Sequence, residues 1–191
     1  MVATVQGMAF AVDDLIGAIV DAQAEGEPLL ATRDVLTRAL RRPAEIADAL
    51  APRVGGLQVL HNTEHLTILN VVWAPGMYLV PHEHRMWAEI AVYTGTEDNE
   101  FFRRVPEDRG HIVETGGKEL ETGEVLLLGD DAIHSVRNSL DRVTAAIHVY
   151  GGDFVRKARS QWGPGPREEQ PYDFDVVNRE FAAANARAGL C

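Results

Sequence analysis

The residues best equipped for chemistry in this chain are its seven histidines, at positions 61, 65, 82, 84, 111, 134 and 148. Imidazole is a common transition-metal ligand and titrates near neutral pH. His82 and His84 are separated by one residue. On an extended strand such residues share a face, so both rings can reach one ion. Pro81 has no N–H for a sheet ladder and holds Val80 extended, which places this segment at a strand end or edge where a cavity can open. Glu89 follows five residues after His84, and a turn or the next strand can return its carboxylate to the same centre. His134 arrives fifty residues after His84, in AIHSVRN. In VTAAIHVY, alternation puts Thr144, Ala146, His148 and Tyr150 on one face, so His148 and Tyr150 are co-facial. A lone His-x-His or Tyr–His pair also occurs as ordinary packing, so the weight falls on their surroundings. His65 and His111 stand in no pattern and read as surface residues.

Strands must position these groups, and the sequence supplies them only after its first third. Residues 10–24 place Phe10, Leu15, Ile19 and Val20 on a helical stripe, and PLLATRDVLTRALRR spaces Leu29, Leu36 and Leu40 similarly. Pro43 suits the first turn of a short helix over AEIADAL, where a missing N–H costs nothing. From Leu57 the pattern becomes LQVLH, LTILNVVW, MYLVPH, AEIAVYT, EFFRRV, HIVET, EVLLLG, AIHSVRN and VTAAIHVY, separated by Gly, Asp and Asn. Short strands with turn signals between them and no helical crossovers predict a sandwich or barrel. After Phe154 the sequence loosens into RSQWGPGPREEQPYDFD, a surface-hugging tail, and VVNREFAAANARAG can form a last short helix. The expected organisation is one domain: a helical segment over 1–55 packed on a barrel over 56–158, then a tail over 159–191.

Composition narrows the classes. A chain of 191 residues fits one well-filled domain, and 46% apolar with 25% charged residues is ordinary for a globular protein. The formal net charge of -11 repels a phosphate backbone, so no nucleic-acid partner is expected. No apolar run is long enough to span a membrane. The opening MVATVQGMAFAVDDL has no basic n-region, and Asp13 and Asp14 interrupt its apolar run, so no secretory leader is read. Cys191 is the single cysteine. It excludes an intrachain disulfide and suits a reducing cytoplasm.

Two longer patterns enclose the histidines. Gly76, His82, His84, Glu89 and Gly95 form the first, in GMYLVPHEHRMWAEIAVYTG; Gly123, Gly129, His134 and Asn138 form the second, in GEVLLLGDDAIHSVRN. Their layout resembles the two motifs of the cupin superfamily. The first has one residue fewer than usual between its Glu and final Gly. The second has Gly129 and Asp131 where the family usually carries Pro and Gly. The resemblance implies a mainly β fold, a cupin double-stranded β-helix (jelly-roll-like) barrel, with a divalent metal in its mouth held by His82, His84, His134 and Glu89.

The segments VVWAPGMYLVPHEHRMW and AIHVYGGDF are further similar to the cysteine dioxygenase-like branch of thiol dioxygenases and to predicted metal-dependent β-helix enzymes near it. That resemblance implies a non-haem Fe(II) dioxygenase of a small molecule such as a thiol, with dioxygen as second substrate. Three histidines would bind the metal and His148 and Tyr150 would be catalytic pocket residues. The branch has no carboxylate at the place of Glu89, which therefore either binds the ion, leaving two octahedral positions, or hydrogen-bonds a ligand or a bound water. The arginine that holds the substrate carboxylate in that branch is missing before LTILNVVW; His61 is the nearest candidate, with Arg85, Arg103 and Arg104 as other anion partners. Trp87, with Trp73, Met86, Phe101 and Phe102, is a candidate pocket wall. Glu89 also keeps open a redox-neutral hydrolase or isomerase using Zn, Mn or Ni, and a non-catalytic ligand-binding cupin is the third reading. A homodimer is expected from the resemblance alone.

Overall fold

The computed structural model describes residues 10–106, 108–163 and 168–190. The expectations for the first nine residues, the centre of the Gly/Pro-rich tail and Cys191 lie outside them. Three helices come first: α1 (Val12–Ala22), α2 (Pro28–Ala39) and α3 (Pro43–Leu50). Pro28 and Pro43 open the second and third, where proline's fixed φ is already helical. Their apolar stripes bury Leu15, Ile19, Leu36 and Ile46.

The remaining elements are β1 (Gly56–Asn62), β2 (Thr67–Trp73), β3 (Tyr78–Glu83), β4 (Ala88–Thr94), β5 (Thr96–Val105), β6 (Asp108–Glu121), β7 (Val125–Leu128), β8 (Ile133–Arg137), β9 (Thr144–Tyr150), β10 (Ser160–Trp162), β11 (Glu169–Pro171) and α4 (Phe174–Ala188). The strands form two antiparallel sheets, in the orders β1-β2-β9-β4-β7 and β11-β10-β3-β8-β5-β6. From β2 to β9 the chain passes from one sheet to the other at every step except β5 to β6. That interleaving is a jelly roll of the cupin type, with helices before it and one after, as the motifs implied.

One such crossing sits at Gly95, the single residue between β4 and β5. Its φ is +79°, and a Cβ there would lie 2.3 Å from Thr144 Oγ1, so the corner admits glycine alone. β6 is longer than the expected HIVET run because Gly116 and Gly117 do not end it. They lie beside a register shift against Phe101 and Phe102, and Gly117 packs its backbone on the Asn99 carbonyl.

The first sheet has apolar side chains on both faces. Along β4, Ala88, Ile90 and Val92 face the barrel interior, with Leu69, Val71, Trp73 and Val136. Ala91 and Tyr93 alternate with them and pack with Leu15, Ile19, Leu36 and Ile46 under the helical layer. The tail does more than hug the surface. β10 pairs with β3, aligning Gln161 with His82, and α4 packs Val177, Phe181 and Ala184 onto the barrel interior. The Asp173 side chain caps α4 by accepting from the Asp175 and Val176 amides. Near the other end of α4, Asn185 exchanges two hydrogen bonds with the Gly55 backbone, at 2.8 and 2.9 Å. Among the described residues no helix is long and apolar enough to cross a membrane.

Candidate metal centre

β3 and β8 are antiparallel neighbours in a register that pairs His82 with His134. A register shift between Leu79 and His82 absorbs Pro81, so the proline sits at a bulge inside the strand rather than at its end. His84 lies just past β3 and returns on the same side. Glu83, between them, faces away and is held by Arg85 Nε at 2.6 Å, Arg104 Nη2 at 2.9 Å and the Ser160 amide at 3.1 Å. Burial raises the Glu83 carboxyl, but the two arginines outweigh it and hold the group below its usual range. This clamp fixes the backbone that carries both rings.

His84 Nε2 lies 3.3 Å from both His82 Nε2 and His134 Nε2. Two nitrogens bound to one ion at about 2.1 Å are separated by about 3.0–3.4 Å. The ring nitrogens facing away decide which lone pairs are free. His82 Nδ1 donates to the Val80 carbonyl at 3.0 Å and His134 Nδ1 to Asn99 Oδ1 at 2.7 Å, which leaves both Nε2 atoms bare. Bare nitrogens converging at this distance repel unless a proton or a cation lies between them. Burial also keeps the rings neutral. It pushes His82 down to about 4 against the help of the Val80 carbonyl, and drives His84 and His134 well below their ordinary value, with neighbouring histidines adding to the effect. His82, His84 and His134 together could hold a divalent metal.

β9 brings His148 and Tyr150 to the same interior. His148 Nδ1 is 3.1 Å from the Tyr150 hydroxyl, and the Tyr150 ring meets the edge of His84 at 5.0 Å between centroids. Burial raises the Tyr150 phenol well above its ordinary value. The pocket around these groups is walled by Val71, Trp73, Leu79, Val136, Phe154 and Phe181, and holds about 20 Å³, room for about one water.

The other expected site residues are not brought here. Glu89 shares the β4 face of Ala91 and Tyr93 and points under the helices, away from the histidines, so the four-ligand set is corrected to three. His61 pairs with Ile68, which packs in the helix-side cluster. Trp87 also packs in that helix-side cluster, beside Gly151. Arg103 is exposed on β5. None of these four lines the pocket. Arg104 is engaged by Glu83 and Glu169 and lies over Trp162.

Three important residues escaped the sequence reading. Glu97 and Asn99 stand at alternate positions of β5, buried behind His148 and His134, just before the point where that strand was read to begin. Arg159 comes from the tail and is 6% exposed. Its guanidinium lies 4.0 Å from the Phe154 centroid and 3.9 Å from that of Tyr172. Nη1 donates to the Phe154 and Lys157 carbonyls, and the Tyr172 hydroxyl is a further partner of the guanidinium. A buried cation among aromatic rings was hidden in a segment whose composition signalled only a loop.

Fold and site together define a jelly-roll barrel with an interior three-histidine centre. No protein-family model matches the chain. Among solved structures it is similar to an RmlC-like cupin family protein with a double-stranded β-helix fold from Methanocaldococcus jannaschii, at 13% identity and a TM-score of 0.44, covering 53% of this chain and 84% of that one. A cupin superfamily protein from Desulfitobacterium hafniense matches at 14% identity and a TM-score of 0.44, over 56% of this chain and 88% of its own. A cupin domain from Bordetella pertussis matches at 21% identity and a TM-score of 0.38, over 51% and 94%.

Proposed function

We propose that this protein is a metal-dependent dioxygenase of a small thiol bearing an anionic group, with His82, His84 and His134 holding one divalent ion, ferrous iron foremost. The observation that carries the reading is the Tyr150–His148 pair set against three convergent, neutral imidazoles in an apolar pocket. Bound ferrous iron would bring a thiol and dioxygen together at adjacent positions and relay electrons from the sulfur, which is oxidised as it takes up both oxygen atoms.

The chain's own groups supply the rest of the chemistry. Three neutral ligands, with Glu89 turned away, leave the ion's charge unneutralised and so favour a thiolate over a thiol. That displacement of Glu89 also removes the feature that favoured redox-neutral chemistry on Zn, Mn or Ni. Tyr150, held protonated by burial, keeps its hydroxyl proton available to a pocket ligand, and His148 Nδ1 orients that hydroxyl. The walls of Val71, Leu79, Val136 and Phe181 exclude water. Arg159, a buried cation packed on the pocket residues Phe154 and Tyr172, would take the anion-binding role first sought in His61 and Arg103.

The test begins with metal content per chain on protein purified without chelator, followed by oxygen uptake with small thiols that do or do not carry a carboxylate. We expect near-stoichiometric iron and uptake selective for the carboxylated thiols. His82→Ala and His134→Ala should lose the metal. Tyr150→Phe should keep it and slow turnover by about 100-fold. Arg159→Ala should raise KM for the carboxylated thiols alone. Iron-reconstituted protein that consumes no oxygen with any thiol would sink the proposal.

A further inference from the structure

Gln161 is 3% exposed and held from both sides, because β10 pairs it with His82 of β3 and with Gln170 of β11. Residues paired across a ladder point to the same side of the sheet, so its side chain projects towards α4. There the backbone amide of Asp173, the cap of that helix, donates to Gln161 Oε1 at 3.4 Å. That contact fixes which way the carboxamide is turned. The other atom, Nε2, is left with no acceptor among the described residues. An amide NH₂ carries two donors, and a buried donor without an acceptor forfeits the water it gave up on folding.

Gln161 lines a cavity of about 280 Å³. Past Trp162 the chain turns at Gly163, whose φ is +109°, and the edge of β3 over Tyr78–Pro81 becomes one wall of this space. Val176, Val177 and Glu180, from the first two turns of α4, form the opposite wall. Leu79 and Val177 line both this cavity and the histidine pocket, so one layer of side chains separates the two.

The lining selects the occupant. Among the described residues no basic side chain lines the cavity, and Glu180 lies exposed at its rim, so an anion has no partner there. A pure hydrocarbon would leave the Gln161 NH₂ unpaired. At about 30 Å³ per water the space equals about nine waters, enough for a molecule of about ten non-hydrogen atoms. We propose that this cavity is a second ligand site, which binds a small uncharged molecule carrying a carbonyl oxygen on an apolar body. The oxygen accepts from Gln161 Nε2, and the body lies between the β3 edge and α4. The occupant touches Leu79 and Val177 from the side opposite the histidines, and its binding requires no metal.

The experiment is methyl ¹³C NMR on the full-length protein, titrated with acetophenone and, separately, with ethylbenzene, which has nearly the same body without the oxygen. Saturable shifts are expected at Leu79, Val80, Val176 and Val177, with acetophenone bound about fivefold more tightly than ethylbenzene. Gln161→Leu should erase that preference while ethylbenzene still binds. Val176→Phe fills the cavity and leaves Gln161 in place, and it should abolish binding of both. No saturation at these four residues, saturation confined to methyls elsewhere, a preference that survives Gln161→Leu, or binding that survives Val176→Phe would overturn the proposal. Neither probe is a thiol and neither readout needs a metal. Protein inactive towards thiols would therefore count against the reaction proposed above and leave this site standing.

Discussion

Glu89 and Glu97 are both 0% exposed, yet their surroundings are opposite. Glu97 is met by donors; neither oxygen of Glu89 has a partner, and burial pushes its carboxyl up to about 8, with Arg33 pulling it down and Asp34 pushing it further up. Because the folded chain holds this proton more tightly than the unfolded one, Glu89 costs stability increasingly as pH rises from about 4.5 towards about 8. Glu89→Gln should leave stability nearly unchanged at about pH 4. At about pH 8.5 it should raise the melting temperature by about 2–4 °C for each kcal/mol recovered. Thermal melts across that range check it, and parallel curves for the two proteins would remove Glu89 from the account. The sequence pointed to Glu89 through its spacing from His84, but AEIAVYT is apolar at most positions on both faces, so alternation alone did not say which face was interior. Where one face was marked, as in His-x-His and HVY, alternation did place co-facial side chains together.

Among the elements, the N-terminal helices and the strand runs were legible because periodicity and proline punctuation agreed. The tail was not, because Gly, Pro and charge mask the two short strands and the cap that organise it. β9 ends in a contact that composition could not reveal: Gly151 donates its N–H to the Trp87 carbonyl, and a Cβ on it would lie 2.0 Å from Trp87 Nε1. A rigid indole under the helical layer cannot easily yield. Gly151→Ala should therefore cost about 1–3 kcal/mol, read by denaturant unfolding, with the slope unchanged. Asn185 does comparable work for α4 through its paired bonds to Gly55. Asn185→Ala should cost about 1–2 kcal/mol and increase amide exchange in α4 more than in β2 or β9, as expected for local opening of that helix. Uniform exchange changes across all three elements would contradict the idea that α4 opens by itself.

At the scale of the molecule, the two layers divide the labour. The helices α1–α3 cover the outside of one sheet, whereas β10 and α4 close the interior that holds the histidines. A pocket of about 20 Å³ cannot admit a thiol of several heavy atoms without displacement of that closure, so substrate access and tail position are linked under the proposed function. Strand count and turn spacing made the barrel legible from sequence. The closure was not, since it depends on residues more than a hundred positions apart meeting, as Gly55 and Asn185 do.

The position of Trp73 gives this closure an optical signature. Its indole is stacked on Phe181 of α4 at 5.5 Å, bonded to Glu97, and lines the same pocket as the three histidines. Trp73 emission, isolated as the difference between wild type and Trp73→Phe, should be quenched by cobalt or iron and not by zinc. It should shift to the red in Asn185→Ala as solvent reaches the ring. One side chain would then report both occupancy of the centre and lifting of its cover.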